Sequence, residues 1–326
     1  MSTITNTKVA IVTGANKGIG YAVVKGLCKK FDGVIYLTSR NTAKGQEAVK
    51  ELKKLGCNPT FHQLDVNDQD SVNRFKDHIK NTYGGVDILV NNAGIIFKDH
   101  IKNTYGGVDI LVNNAGIMYT ETPENYNNFL TQAQETIATD YFGLLRVSEA
   151  FIPLLRKDAR IVNVSSSAGH LSRLPSARIV NVSSSAGHLS RLPSTDLRSK
   201  FSSNTLTVSQ LTELVNQYLK AVKNKTNKED GWGERSYSIA KIAVSALTRV
   251  HQIYFNTEKA EMNIFVNSVH PGYVLTDLNP TGDWSIDEGA KPILYLAVGE
   301  NNHKGLYIWK DCSVVDWLGE TTPQRH

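Results

Sequence analysis

Thr13-Gly14-Ala15-Asn16-Lys17-Gly18-Ile19-Gly20 follows the apolar run Val9-Ala10-Ile11-Val12 and precedes a helix-like stretch from Tyr21 to Lys30. A strand, a glycine-rich turn and a helix start in that order decide the fold. Glycine has no Cβ, so the backbone N–H groups of such a turn can approach a pyrophosphate closely. The helix start behind the turn adds partial positive charge. Gly14, Asn16, Lys17, Gly18, Ile19 and Gly20 are therefore the candidate cradle of a dinucleotide. The glycines alone would equally suit an ordinary tight strand-to-helix turn, so the rest of the chain must decide.

Further short apolar runs end in polar residues. Val34 to Thr38 leads to Ser39-Arg40, Phe61 to Leu64 to Asp65-Val66, and Val86 to Val90 to Asn91-Asn92-Ala93-Gly94. Arg160 to Val164 leads to Ser165-Ser166, and Ile264 to Val269 to His270-Pro271-Gly272; Leu306 to Trp309 is a last short run. Helical patterns lie between most of them. The alternation predicts one α/β domain with a Rossmann-like, doubly wound parallel sheet, whose ligands sit at the carboxyl ends of the strands.

Tyr237-Ser238-Ile239-Ala240-Lys241 opens another helical run. Residues four apart share a helix face, so the Lys241 ammonium can lie near the Tyr237 phenol. A cation there favours the phenolate and makes the tyrosine a better proton donor to a carbonyl oxygen. Alone, this spacing would also suit a surface helix pair. At the end of the second strand, a carboxylate would favour NAD through the ribose 2′-OH. This chain has Ser39-Arg40 there, with Lys17 in the turn. Two cations suit a 2′-phosphate, so NADPH/NADP+ is the expected cofactor.

Taken together, Thr13-Gly14-x-x-x-Gly18-x-Gly20, Asn-Asn-Ala-Gly, Val-Ser-Ser, Tyr237-x-x-x-Lys241 and Pro271-Gly272 resemble the short-chain dehydrogenase/reductase family over nearly the whole chain. Lys17, Arg40, the string from Phe61 to Val66, Gly231-Trp232 and the long segment before Tyr237 resemble its carbonyl reductases. The resemblance implies NADPH-dependent reduction of small aldehydes, ketones or quinones. Tyr237 would be the general acid, Lys241 its tuning cation and ribose contact, and Ser184 the hydrogen-bond donor to the carbonyl oxygen. Asp65 and Val66 would meet adenine, and Asn114 would line the groove. Pro271, Gly272, Val274 and Thr276 would lie near the nicotinamide, with Tyr273 and Trp232 as candidate pocket walls or plain packing. Thr207-Val208-Ser209-Gln210 reads as a capping box before a helix that carries Leu211, Leu214, Val215, Tyr218, Leu219 and Val222 at helical spacing. In carbonyl reductases an extra helical segment here covers an oligomerisation surface, which implies a monomer.

Two duplications complicate the pattern. Residues 75–95 recur identically as 97–117, and residues 159–176 recur as 177–194. The fourth- and fifth-strand segments are thus present twice within the single domain 1–326. One copy of each is expected to take the usual slot, with the other looped out or added at an edge. The second copies, carrying Asn114 and Ser184, are preferred to Asn92 and Ser166 because they leave the catalytic face intact. The resemblance also implies asparagine where Thr139-Asp140-Tyr141 has aspartate. Its charge would offset the pull of Lys241, raise the Tyr237 pKa and slow turnover near neutrality. These departures leave open a nucleotide-binding protein with impaired catalysis.

Composition is that of a globular enzyme, 40% hydrophobic and 21% charged, with a net charge of +5. No basic arm suggests nucleic acid, and no apolar run is of membrane length. Cys28, Cys57 and Cys312 form no CxxC pair, which predicts no metal site and suits a reducing cytoplasm.

Overall fold

The computed structural model describes residues 7–29, 31–65, 68–83, 86–91, 108–113, 128–152, 155–163, 178–182, 184–275, 281–298 and 301–322. Strand β1 (Val9–Val12) is buried along its whole length, as a run of Val, Ala and Ile with helices on both faces should be. The chain then alternates through α1 (Gly18–Cys28), β2 (Val34–Ser39), α2 (Thr42–Lys54), β3 (Thr60–Gln63), α3 (Gln69–Tyr83) and β4 (Ile88–Asn91). Next come β5 (Val108–Asn113), α4 (Phe129–Ile137), a π-helical turn (Ala138–Gly143), α5 (Leu144–Phe151), β6 (Leu155–Asn163) and β7 (Arg178–Val182). The rest comprises α6 (Thr195–Ser202), α7 (Val208–Asn224), α8 (Ser236–Thr257), β8 (Phe265–Val269), α9 (Ile286–Val298), β9 (Tyr307–Ile308) and β10 (Val314–Val315).

One sheet of ten strands results, in the order β10-β9-β8-β7-β6-β5-β4-β1-β2-β3. All neighbours are parallel except β9 and β10. The doubly wound expectation holds, but the duplicated strands do not behave as expected. Both copies of each lie inside the sheet, side by side. Ile88 pairs with Ile110 and Asn91 with Asn113, while Ile161 pairs with Ile179 and Asn163 with Asn181, so each residue meets its own duplicate. The physical reason lies in the strands themselves. An apolar strand left outside would have to hide its side chains and pair its backbone elsewhere, whereas an interior slot satisfies both at once. Identical segments also stack in register without mismatch, as in other parallel assemblies of one sequence. Four strand steps therefore separate β1 from β7, about 19 Å at the usual spacing of roughly 4.8 Å.

Two apolar clusters flank this sheet. The first joins β1, β2 and β4 to α1, α2 and α9 through Val12, Leu27, Leu37, Leu52 and Leu296. In the second, α4 to α8 gather around Tyr141, Phe201, Tyr218 and Trp232. The capping box forms as read: the Gln210 N–H donates to Thr207 Oγ1 at 3.2 Å and the Thr207 N–H donates to Gln210 Oε1 at 2.9 Å. Behind it, α7 turns Leu211, Leu214, Val215 and Tyr218 inward.

The cysteines depart from the expectation of three separate thiols. Cys28, at the end of α1, is joined to Cys57, just before β3, as a disulfide with Cα atoms 5.4 Å apart. Their spacing of 29 residues carries no pairing signal; the pair forms because Cys57 packs into the same apolar cluster as α1, with Cys28 against it. The spacing argument for a reducing compartment does not survive this pairing. Among the described residues no helix is long and apolar enough to cross a membrane, and no three potential metal ligands converge.

Candidate active site

The glycine turn leaves β1 in a conformation that only part of the sequence alphabet tolerates. Gly14 and Gly18 have φ of 60° and 56°, the left-handed region where a Cβ is strained. The Thr13 N–H donates to the Val90 carbonyl at 2.9 Å and the Ala15 N–H to the Thr38 carbonyl at 2.8 Å, which ties the turn to both neighbouring strands. Lys17 is the N-cap of α1, and no side chain caps that helix. The Lys17 side chain thus does not cap the first N–H groups of α1, and among the described residues no atom lies within 4 Å of where a Gly18 Cβ would stand. Lys17 and Arg40 are exposed beside the turn, and Asn16 and Asp65 are half-buried. The amides of a helix start, an open backbone at Gly18 and two exposed cations fit the diphosphate and 2′-phosphate of NADPH. Ile19 and Gly20 begin α1, Gly20 being buried. The calls on Val66, Asn114, Asn92, Ser166 and Thr276 lie outside the described residues.

At the carboxyl end of β7 stands the second centre. Ser184 follows the strand in extended conformation (φ −148°, ψ 159°), and its side chain lies close enough to the Tyr237 phenol to favour the charged form of that group. Tyr237 lies in the first turn of α8 and keeps part of its surface open. One turn on, the Lys241 Nζ sits 5.0 Å from the centre of the Tyr237 ring. Ser184, Tyr237 and Lys241 are thus near one another; the four-residue spacing accounts for the Tyr237–Lys241 approach, while the serine was implied only by the resemblance. The π-helical turn after α4 delivers Asp140 into the same core, its Oδ2 2.5 Å from Lys241 Nζ, with both side chains at 0% exposure.

That ion pair inverts the simplest electrostatic argument. Burial pushes the Tyr237 phenol well above its usual pKa, and the Asp140 carboxylate pushes it further, against a lowering by the Ser184 hydrogen bond. Burial pulls the Lys241 ammonium down, while the charge and hydrogen bond of Asp140 hold it up. The Asp140 charge thus acts on the phenol in the direction opposite to that of a neighbouring cation.

Beyond β8, Pro271 and Gly272 (φ 96°) form a buried turn, and a Cβ on Gly272 would meet the Trp284 ring at 3.5 Å. Val274 is buried and bridges Trp284, whereas Tyr273 is half-buried with its hydroxyl 2.8 Å from Thr281 Oγ1. Trp232 packs between Phe201 and Tyr218, with ring centres 6.3 and 5.7 Å away, so it belongs to the core and not to a pocket wall. Sequence reading missed the residues that fix the serine loop. The Tyr307 hydroxyl donates to the Ser184 carbonyl at 2.6 Å, and Trp317 Nε1 donates to the Gly187 carbonyl at 2.7 Å. Tyr307 stood in a recognised strand, but nothing in the pattern shows which partner it meets 123 residues away.

The chain is similar to known proteins along most of its length. The short chain dehydrogenase family matches residues 8–102 and 96–177. Carbonyl reductase (NADPH) 1 of Sus scrofa is 35% identical over 96% of this chain and 95% of its own length. Its counterpart in Rattus norvegicus is 36% identical over 95% and 98%. Among solved structures, salutaridine reductase from Papaver somniferum is similar with a TM-score of 0.61 and 28% identity, covering 92% of this chain and 99% of that one. Menthone neomenthol reductase from Mentha piperita is similar with a TM-score of 0.60 and 26% identity, over 94% and 99%.

Proposed function

Because this chain belongs to the short-chain dehydrogenase family, we propose that it reduces the carbonyl of small aldehydes, ketones or quinones with NADPH. The observation that carries this reading is the meeting of Ser184, Tyr237 and Lys241 at the carboxyl end of β7, in a chain whose relatives are named NADPH carbonyl reductases. The amides of the Gly14–Gly20 turn hold the diphosphate, and Lys17 and Arg40 hold the 2′-phosphate. When bound, NADPH supplies the hydride. Tyr237 gives its proton to the substrate oxygen, as a general acid whose raised pKa keeps it protonated through neutrality. Ser184 steadies both that oxygen and the phenol by hydrogen bonding. Lys241 stabilises the phenolate that Tyr237 becomes as its proton leaves, with Asp140 limiting how much. The chain acts as a monomer, a reading that the inward-facing apolar side of α7 supports.

A second reading rests on the ten-stranded sheet. With one copy of each duplicated strand, two steps would separate the glycine turn from the serine strand; here there are four, about 10 Å more. Hydride transfer needs reacting atoms about 3–3.5 Å apart. A dinucleotide held at the turn would then bind well and react poorly. One experiment separates the two: NADPH binding and quinone-dependent NADPH oxidation, measured on the full chain and on a variant lacking residues 75–96 and 159–176. Comparable turnover by both supports the reductase in its present form. Binding by both with turnover only in the shortened variant supports the second reading, and turnover by neither sinks the reductase proposal.

A further inference from the structure

Beyond β7 the chain that carries Ser184 leaves the sheet. Residues 185–187 and 189–191 form two single 3-10 turns, and long-range hydrogen bonds tie them to the far end of the chain. The Tyr307 hydroxyl donates to the Ser184 carbonyl at 2.6 Å, and Trp317 Nε1 donates to the Gly187 carbonyl at 2.7 Å. His188 Nε2 meets the Asp316 carbonyl at 2.9 Å, and Ser190 Oγ meets Thr322 Oγ1 at 2.9 Å. One short loop is thus tied at four places to one C-terminal segment.

The chemistry of this joint is specific. His188 is fully buried, and burial lowers its pKa, so the ring is neutral near neutrality. Its Nδ1 accepts the Ser190 N–H at 3.3 Å, which places the ring proton on Nε2, facing the Asp316 carbonyl. Tyr307 and Trp317 are buried, so neither offers a surface to a substrate. The Arg249 guanidinium of α8 lies 5.7 Å from the centre of the Trp317 ring and donates to the Ser202 carbonyl and Asn204 Oδ1. The indole is therefore held by its face as well as by its nitrogen. At the serine, the Ala186 N–H donates to Ser184 Oγ at 3.2 Å, which leaves the hydroxyl proton to be given to another oxygen.

We propose that the C-terminal segment positions Ser184 for carbonyl reduction, with Tyr307 and Trp317 as positioning residues that act through the serine. The inference rests on the reductase reading and deepens it. A hydrogen-bond donor to a developing oxyanion works only where that oxygen will stand, and a misplacement of about 1 Å can cost about a hundredfold in rate. The carbonyls of Ser184 and Gly187 flank the turn whose Ala186 N–H orients the hydroxyl. Fixing both carbonyls fixes where the hydroxyl points. Removing either donor leaves a carbonyl short of a partner, and the turn then gains by shifting to find another. The glycine turn that holds NADPH takes part in none of these bonds, so cofactor affinity should not follow the change.

A double-mutant cycle on the full chain tests this, read as quinone-dependent NADPH oxidation per NADPH-binding site. Trp317→Phe removes the N–H and keeps an aromatic ring. It should lower kcat about ten- to hundredfold, with the Kd for NADPH within about twofold of the parent. Ser184→Ala should cost about a hundred- to thousandfold. Adding Trp317→Phe to Ser184→Ala should change kcat by less than about twofold, because no hydroxyl is left to misplace. Tyr307→Phe, which removes one hydroxyl, should follow the same pattern with a loss of about five- to tenfold. It decides the matter if Trp317→Phe does not fold well enough to bind NADPH. Equal losses with and without the Ser184 hydroxyl would mean that the segment serves the fold alone, and would overturn the proposal. An active parent whose kcat neither single variant lowers would overturn it while leaving the reductase reading intact. A parent with no turnover would overturn both.

Discussion

The two ends of the crevice solve opposite problems with opposite materials. Around the glycine turn, the residues expected to meet the cofactor are accessible: Lys17 and Arg40 are exposed, and α1 begins without a side-chain cap. Around Tyr237, Asp140 and Lys241 have no exposure at all and act on one another at 2.5 Å. Phosphate recognition works with cations that remain hydrated until the ligand arrives, helped by backbone amides that water can otherwise satisfy. Proton transfer works with groups whose pKa values are moved, and only burial and close charges move them far. The difference teaches that one half of the site sets how tightly the dinucleotide is held and the other sets how fast a bound carbonyl is reduced. Mutations in the two halves should therefore split KM from kcat.

The sharpest break should come from Tyr237→Phe, which removes the proton donor and keeps the ring. We expect kcat to fall about a hundred- to ten-thousand-fold, with the Kd for NADPH within about twofold of the parent. Stopped-flow turnover beside fluorescence titration of NADPH checks both, and residual turnover close to the parent's would remove Tyr237 from the chemistry.

Next in size is an effect on stability from a buried group outside the crevice, His251 of α8. Burial lowers the His251 pKa to about 4. In the unfolded chain the same imidazole takes up a proton near pH 6.5. Between those values the unfolded state binds more protons, so native stability is full above pH 6.5 and is lost as the pH falls toward 4. The window corresponds to about 3 kcal/mol. Urea midpoints of His251→Leu should fall less than the parent's over that range, and parallel curves would show that the imidazole titrates as if exposed.

In the open half, Lys17→Ala with Arg40→Ala should raise KM for NADPH about 10- to 100-fold through lost charge-assisted hydrogen bonds. KM for NADH should scarcely change, and kcat should stay near the parent's. Steady-state kinetics with both cofactors decides this, and an equal loss for NADH would mean that the two cations do not read the 2′-phosphate.

The same contrast explains how much the sequence revealed. Gly14, Gly18, Tyr237 and Lys241 were legible because each depends on its immediate chain neighbours: a turn after a strand, or one helical turn of spacing. The Ser184 contact was legible once strand ends were recognised as the working edge of the sheet. Insertion of both duplicated strands was not, since two identical strands offer the same hydrophobic pattern and nothing in either copy favours one slot over the other. The Cys28–Cys57 bond and the hydroxyl of Tyr307 on the Ser184 loop depend on which distant elements become neighbours. A lone histidine in a helical pattern gives no hint that its Nδ1, like that of His251, will have no hydrogen-bond partner among the described residues.

Asp140 gives the smallest and most specific test, because it touches the catalytic half without touching substrate. Its carboxylate pairs with Lys241 and raises the Tyr237 pKa, so Asp140→Asn should lower the pKa of that phenol. A general acid acts while it is protonated, so the alkaline limb of the kcat/KM profile for reduction should move to lower pH in the variant. Below that limb, a more acidic phenol parts with its proton more easily, and kcat near neutrality should rise several-fold. The same change leaves the Lys241 ammonium buried with a weaker partner, which costs stability and draws its own pKa down further. If Lys241 lost its proton first, the alkaline limb would not move and the gain in rate would be absent. A profile that moves down thus means that the Asp140 charge governs the phenol, whereas an unmoved profile with a lower melting temperature would mean that Asp140 serves only to keep the lysine charged.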